Sequence, residues 1–552
     1  MKKLPGSNNP TREQRHMLLK YYLKKAGRLE DYGDIISLMD PPKEIIAAEP
    51  NGHFKNKRVG IIGGGLAGLS AAYELRKLGF DITIFEALKN RIGGRVYTYY
   101  FDKSKNLYGE LGPMRIPISH ETTWYYIDLF NLNTRPYIQS NENTYVYIRD
   151  IRVRNDPTGI NIMRYIYPEF NLSRWERNTP FWKLVEYGFQ TPLKEIHPNV
   201  RREILQVKPC YHPQLLYWEG KNLRQVLQTM GFSLGAIDLI SSIPTVASGF
   251  YYNSFVELLQ EEYPVNFTRL YEIIGGFSNL PMAFYDSLTS RGRNYYGNVD
   301  IKMGHRVTEI CRSSDKKVYL KYKDENINRS LAYEFDYIIC AIPFSSLRTV
   351  KIYPMFEPRK MEAIREVNYA TAQKTLFLCK RRFWEEDSNG RIIGGGSYTD
   401  LPIGSIWYPS DHGKYLDSDN NSFADEPGVL LASYNFNLDA IRLGNMDEKR
   451  RFEEIKRQVE EVHGLSKGYL DKIVLDYKTI HWNTQIPFKG AFCYFYPNQK
   501  EVFSYFMAKP EYDNRVFFAG EHISSAHAWQ QGALQTGMWA ANMLVKNCKG
   551  QL

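Results

Sequence analysis

The stretch from Val59 to Arg95 restricts what this 552-residue chain can fold into more than any other. Val59, Ile61 and Ile62 form a short apolar run, followed at once by Gly63-Gly64-Gly65-Leu66-Ala67-Gly68. In a G-x-G-x-x-G turn the first glycine permits a tight bend. The second lets backbone approach a pyrophosphate, and the third lets the next helix pack on the strand. Leu69, Ala72, Tyr73 and Leu75 then give one apolar helical face, which stops at Gly79. A second apolar run, Ile82-Thr83-Ile84-Phe85, ends in Glu86. An acid there accepts hydrogen bonds from ribose hydroxyls and repels a 2′-phosphate. A glycine-rich turn alone is common. Strand, turn, helix, strand and acid in this order predict a dinucleotide unit for FAD or NAD, not NADP.

Arg91-Ile92-Gly93-Gly94-Arg95 follows directly. Its glycines permit close backbone approach, and its arginines can neutralise phosphates or meet a flavin carbonyl. A plain turn with solvated arginines is the other reading. The position after the acid strand favours FAD, with Gly63, Gly65, Leu66, Ala67, Gly68, Glu86, Arg91, Gly94 and Arg95 as its expected contacts.

The length implies about three structural units. With 43% apolar and 24% charged residues the composition is that of a globular chain. Its 41 Tyr residues fill cores or line apolar pockets. Net charge is +10, but Lys and Arg are scattered, so no basic face for nucleic acid is expected. Six cysteines lie far apart without C-x-x-C or Cys/His spacing, which excludes a predicted metal site or disulfide framework. Cys340 and Cys379 sit in apolar runs and are expected to be buried thiols. Met1 to Gly6 has no apolar segment behind its lysines, and no run is long enough to span a bilayer. The expectation is a cytoplasmic protein with no membrane partner.

Polar periodicity predicts a helix over 12–30, and helical patterns dominate 160–265. Strand-like runs follow at Asp300–Ile310, Val318–Tyr322 and Tyr337–Ile342, then at Arg515–Ala519 before a helix from about Gly532. The fold class expected is α/β: a Rossmann-like FAD-binding domain, a mixed-sheet substrate domain and a mainly helical insertion.

Blocks across nearly the whole chain resemble the flavin amine oxidase family, in its bacterial-type L-amino acid oxidase branch. Glu86-Ala87 through Arg95 is similar to the family's acid–arginine–glycine block, with one residue more between Glu86 and Arg91. Gly112-Pro113-Met114-Arg115-Ile116-Pro117 resembles the segment that passes the flavin and supplies the substrate arginine. Gly275-Gly276-Phe277-Ser278-Asn279-Leu280-Pro281 is similar to the turn that re-enters the FAD domain. Val307 falls where a strand residue meets the adenine end. Phe518-Ala519-Gly520-Glu521-His522 and His527-Ala528-Trp529 resemble the blocks along the ribityl and isoalloxazine.

The resemblance implies FAD, non-covalent because no Cys occupies the C-terminal turn. It implies domains at 55–100, 268–368 and 505–547 (FAD), at 1–54, 101–160 and 369–504 (substrate), and at 161–267 (helical). The implied activity is oxidative deamination of an L-amino acid, with O₂ as acceptor, in a homodimer or higher homo-oligomer. Arg115 would hold the substrate carboxylate, a bidentate task suited to guanidinium. Tyr434 is similar to the tyrosine completing that clamp, with a core Tyr as the other reading. Lys374 resembles the lysine that serves flavin reoxidation, with an exposed strand-end Lys as the alternative. Ala528, Trp529 and Trp482 are the expected amine contact and aromatic walls. Glu261 stands where venom members carry a mobile His. It reads either as an acid selecting a cationic side chain or as half of a solvated acidic pair with Glu262. Phe492, Tyr494 and Tyr496 point instead to aromatic or long aliphatic substrates. An amino acid 2-monooxygenase, a polyamine or monoamine oxidase and a non-enzymatic FAD-binding scaffold remain as alternatives.

Overall fold

The structure, a computed structural model, describes residues 7–48, 50–243, 249–290, 297–313, 317–415 and 422–550. Its first framework is a five-stranded parallel sheet. The strand order is Val299–Met303, Asp81–Glu86, Arg58–Ile62, Tyr337–Cys340, Val516–Phe518. Central strands of a parallel sheet are covered on both faces, which explains the unbroken burial of Tyr337–Cys340. The glycine turn leads into helix Leu66–Arg76, which packs along the C-terminal helix Gln530–Cys548. That packing is close. A Cβ at Gly537 would lie 2.2 Å from the Ala67 carbonyl oxygen, and Ser70 Oγ donates to Leu534 O at 3.1 Å.

The run predicted as one strand over Asp300–Ile310 is two. Gly304, at φ +73°, turns the chain out of the parallel sheet. His305–Arg312 then joins a separate sheet ordered Arg329–Phe335, Val318–Asp324, His305–Arg312, Lys351–Tyr353. Apolar alternation continues across the glycine, so periodicity alone does not reveal the break.

A seven-stranded sheet forms the second framework. Its order is Val474–His481, Ala372–Cys379, Gly428–Phe436, Ser405–Trp407, Gly396–Thr399, Tyr145–Ile148, Ile151–Arg154. It is mixed: Gly396–Thr399 runs parallel to Tyr145–Ile148, while its other pairs are antiparallel. Lys374 faces Tyr434 in the register. Directly opposed residues share a sheet face, so the two side chains meet.

Between residues 161 and 267 the regular elements described are helical, among them Phe181–Glu195, Leu234–Ser242 and Phe255–Glu262. Three short strands, Ile116–Pro117, Leu270–Ile273 and Thr134–Tyr137, pair beside Arg115. The architecture is therefore α/β with a parallel sheet, a mixed sheet and a helical segment. No helix among the described residues is long and apolar enough to cross a membrane. The six cysteines are free, with Cys340 and Cys379 buried.

Candidate active site

A cavity of about 780 Å³ runs from the glycine turn of the parallel sheet to the face of the mixed sheet. At its first end Gly65 caps the helix Leu66–Arg76, and Leu66 and Ala67 begin it. The first amides of a helix have no internal partner and carry its positive pole, which suits a pyrophosphate. Gly94 (φ +63°) faces Gly65, and a Cβ on Gly94 would lie 3.2 Å from the Gly65 Cα. Glu86 is buried and accepts from the amides of Gly64 at 2.9 Å and Leu88 at 2.8 Å. Burial raises its pKa, and these donors act against that rise. Ala87 and Val307 line the same end. A glycine cradle, free amides and an acid for a diol fit a dinucleotide.

Two expected cofactor contacts lie outside the cavity lining. Gly68 serves packing instead: a Cβ there would sit 2.1 Å from the Gly63 carbonyl oxygen. Arg91 folds back on its own loop, donating to Gly94 O at 2.6 Å and Val96 O at 2.8 Å, with its guanidinium 4.3 Å from the Tyr97 ring centre. It orders the turn and is not presented to a phosphate. The Leu88 carbonyl oxygen accepts from Gly304 N at 2.9 Å.

At mid-cavity Arg95 donates to Glu521 at 2.9 Å and to Ala491 O at 2.8 Å. Glu521 also accepts from the amides of Cys493 at 3.1 Å and Ala528 at 3.2 Å. The last bond holds Ala528 at φ +66°, a left-handed conformation that costs a non-glycine residue about 1–2 kcal/mol. Trp482 is anchored by its indole N–H on Leu111 O at 3.0 Å. Gly112, Pro113, Met114, Gly520 and Trp529 complete this part.

Lys374 is 2% exposed, which rules out the strand-end reading. Its ammonium donates to Gly112 O at 2.7 Å and Glu110 O at 3.3 Å, and lies 4.2 Å from the Tyr434 ring centre. Burial lowers its pKa to about 7, with Glu110 opposing the fall. The Glu110 carboxyl is itself raised to about 7 by burial, although Phe277 N donates to it at 2.9 Å and Thr98 Oγ1 at 3.0 Å. An amine that gains or loses its proton near neutrality is suited to proton transfer.

Arg115 donates to Gln139 Oε1 at 2.7 Å. Its guanidinium lies 5.1 Å from the ring centres of both Phe267 and Trp407. Among the described residues no carboxylate forms an ion pair with it. Aromatic rings flank the planar fork, an arrangement chemically compatible with an external carboxylate. Tyr434 lines the cavity with it; burial pushes the phenol up to about 12, so the hydroxyl is a donor at neutral pH. Glu261 accepts from the Trp529 indole N–H at 3.2 Å and is pushed up to about 8 by burial, Arg115 opposing. It lines the cavity, whereas Glu262 does not. Phe492 and Tyr494 line the cavity, whereas Tyr496 lies outside its lining and is 46% exposed.

Gln139, Phe267, Trp407 and Glu110 complete the site and carried no signal in sequence. Each comes from a segment remote from Arg115 or is an ordinary core or strand residue by its neighbours. Only Glu110, two residues before Gly112, was near a recognisable block.

The profile of the family described as flavin containing amine oxidoreductase matches residues 66–545, and the chain belongs to that family. The chain is 30% identical over 520 residues to the L-amino-acid oxidase of Sistrurus catenatus edwardsii, covering 94% of this chain and 91% of that one. It is 30% identical over 525 residues to the L-amino-acid oxidase of Crotalus adamanteus, with the same coverages. Among solved structures, wild-type putrescine oxidase bound to putrescine superposes with a TM-score of 0.65 at 16% identity, over 89% of this chain and 99% of that chain. At that identity the likeness is one of fold.

Proposed function

We propose that this chain is an FAD-dependent L-amino acid oxidase. The observation that carries this reading is Arg115, an orientated guanidinium without a carboxylate partner among the described residues, in one cavity with Lys374 and Tyr434. The net reaction is L-amino acid + O₂ + H₂O → 2-oxo acid + NH₃ + H₂O₂. Bound in the cavity, a flavin would take the hydride from the substrate Cα and return two electrons to O₂. Arg115 and the Tyr434 hydroxyl hold the carboxylate, and the Ala528 carbonyl accepts from the amine. Trp529 and Trp482 wall the substrate from water. Lys374 handles the proton in the O₂ half-reaction. Gly63, Gly65, Leu66, Ala67, Glu86 and Val307 hold the adenosine diphosphate end, with Arg95, Gly520 and Glu521 nearer the flavin. Non-covalent attachment agrees with a cavity lining that contains no cysteine among the described residues.

An amine oxidase would have no use for Arg115. The test is twofold: anaerobic bleaching of the bound flavin by L-amino acids, then assay of peroxide and 2-oxo acid in air. An amide product would mean a monooxygenase, and a flavin bleached by no amino acid would leave the reading without support. Lys374→Met is expected to slow turnover with O₂ at least ~10-fold relative to turnover with a dye acceptor, in the range for loss of a proton-transfer group. Equal slowing with both acceptors would remove Lys374 from the O₂ step.

A further inference from the structure

Away from the glycine turn, the cavity lining holds several carboxylates on a chain whose net charge is +10. Glu142, Asp156 and Asp439 line it, the first two from loops and Asp439 from the helix Asn437–Gly444. Two of these differ from Glu261 in having partners of their own. Asp156 caps its own turn, accepting from the amides of Ile160 at 3.0 Å and Asn161 at 2.8 Å, and Asp439 pairs with Arg442 at 2.6 Å. Glu261 accepts from a neutral indole, and among the described residues no cation forms an ion pair with it.

Glu261 is also fixed in place independently of any ligand. One turn earlier on the helix Phe255–Glu262, Glu257 is 1% exposed and pairs with His527 at 2.7 Å. Residues four apart share a helix face, so the helix is stapled to the loop 527–529 at two points, Glu257–His527 and Glu261–Trp529. Beside it Phe250, Phe436 and Tyr494 form an aromatic wall, with ring centres 4.9 Å (Phe250–Phe436) and 4.6 Å (Phe250–Tyr494) apart. Such a wall accommodates a methylene stem and attracts a cation at its end.

We propose that Glu261 is the side-chain recognition group of this site, selecting L-amino acids whose side chain is a methylene stem ending in a guanidinium or ammonium. The inference rests on the amino acid oxidase reading. A substrate with a carboxylate and a distal cation neutralises Arg115 and Glu261 together, leaving no buried charge unpaired.

The pH dependence follows from the same geometry. The charged and titratable groups facing Glu261 are Arg115, Glu257, Glu262, Tyr434 and Tyr494. Burial holds the Glu261 carboxyl up to about 8, so it is mostly neutral at pH 6.5 and ionised at pH 9. A cation favours the ionised form, so selectivity for it rises as pH rises through that range. Both phenols are raised and stay protonated there.

The experiment measures peroxide kcat/KM for L-arginine, L-lysine, L-leucine and L-phenylalanine in the holoenzyme from pH 6.5 to 9. Taking the arginine-to-leucine ratio cancels ionisation of the shared α-amine, and guanidinium stays charged throughout. The expected ratio exceeds roughly tenfold at pH 9, the factor for one modest charge contact, and falls toward pH 6.5. In Glu261→Gln, checked for flavin content, the ratio drops at least about tenfold and loses its pH slope. Leucine or phenylalanine turning over as well as arginine in the wild type overturns the inference alone. An unchanged ratio in Glu261→Gln, with all substrates slowed together, also overturns it and moves Glu261 to the α-amine. Peroxide from none of the four overturns the oxidase reading with it. The wild-type arms decide the matter even where the variant loses flavin.

Discussion

Arg115→Ala is expected to lower kcat/KM for L-amino acids by about 10²–10⁴-fold, from loss of roughly 3–5 kcal/mol when one partner of a desolvated charge pair is removed. The guanidinium lies near two aromatic rings and one amide oxygen, so its truncation leaves the substrate carboxylate facing Tyr434 alone. Arg115→Lys should recover only part of the loss, because an ammonium lacks the two-donor fork. The defect should fall mainly on carboxylate-bearing substrates. Steady-state peroxide production measures it, with flavin absorbance confirming that the site is loaded. Activity within threefold of wild type in Arg115→Ala would mean that the carboxylate is held elsewhere, and with it the assignment of the substrate end would go.

The second large effect separates two glycines of one motif. Gly65 has φ −80° and ψ 178°, open to any residue, and the nearest atom to a Cβ there is Gly94 Cα at 3.9 Å. Gly65→Val should therefore fold with native far-UV circular dichroism yet purify without flavin, its affinity falling at least ~100-fold as branched carbons occupy the pyrophosphate approach. Gly68→Ala should do the reverse in order. Its Cβ would lie 2.1 Å from Gly63 O and 3.1 Å from Ile61 Cγ2, both in the sheet–helix junction. Overpacking of this kind costs about 1–3 kcal/mol or more, so the apoprotein itself should melt at lower temperature. Full flavin content in Gly65→Val, or an unchanged apoprotein melting temperature in Gly68→Ala, would refute the division of roles.

The dinucleotide unit was legible because its information is local. Strand, turn, helix and acid follow within thirty residues, and the physical demands on each position are strict. Glu86 and Gly65 both line the cavity. Arg91 was legible as part of the turn but not in its direction: two carbonyls of its own loop capture the guanidinium, and sequence does not show which acceptors a long side chain will reach. Tyr496 looked equivalent to Phe492 and Tyr494 by spacing, yet it lies outside the lining. The break at Gly304 was invisible because apolar alternation continues across it.

Lys374 and Tyr434 illustrate the other limit. Each could be read from its neighbours as an ordinary residue of a strand, sixty positions apart. Register between Ala372–Cys379 and Gly428–Phe436 sets them side by side, and only that pairing buries the lysine against a ring and two carbonyls. Likewise Gln139, Phe267 and Trp407 converge on Arg115 from three separate segments, and Glu257 meets His527 across 270 positions. The sequence by itself determined the α/β class, the cofactor turn and the candidate arginine, since those depend on backbone freedom and periodicity over short spans. The tertiary structure alone decided which side chains share the cavity, which of them are desolvated, and that Glu261 meets the Trp529 indole there. Burial and long-range convergence set those properties, and neither is a local quantity.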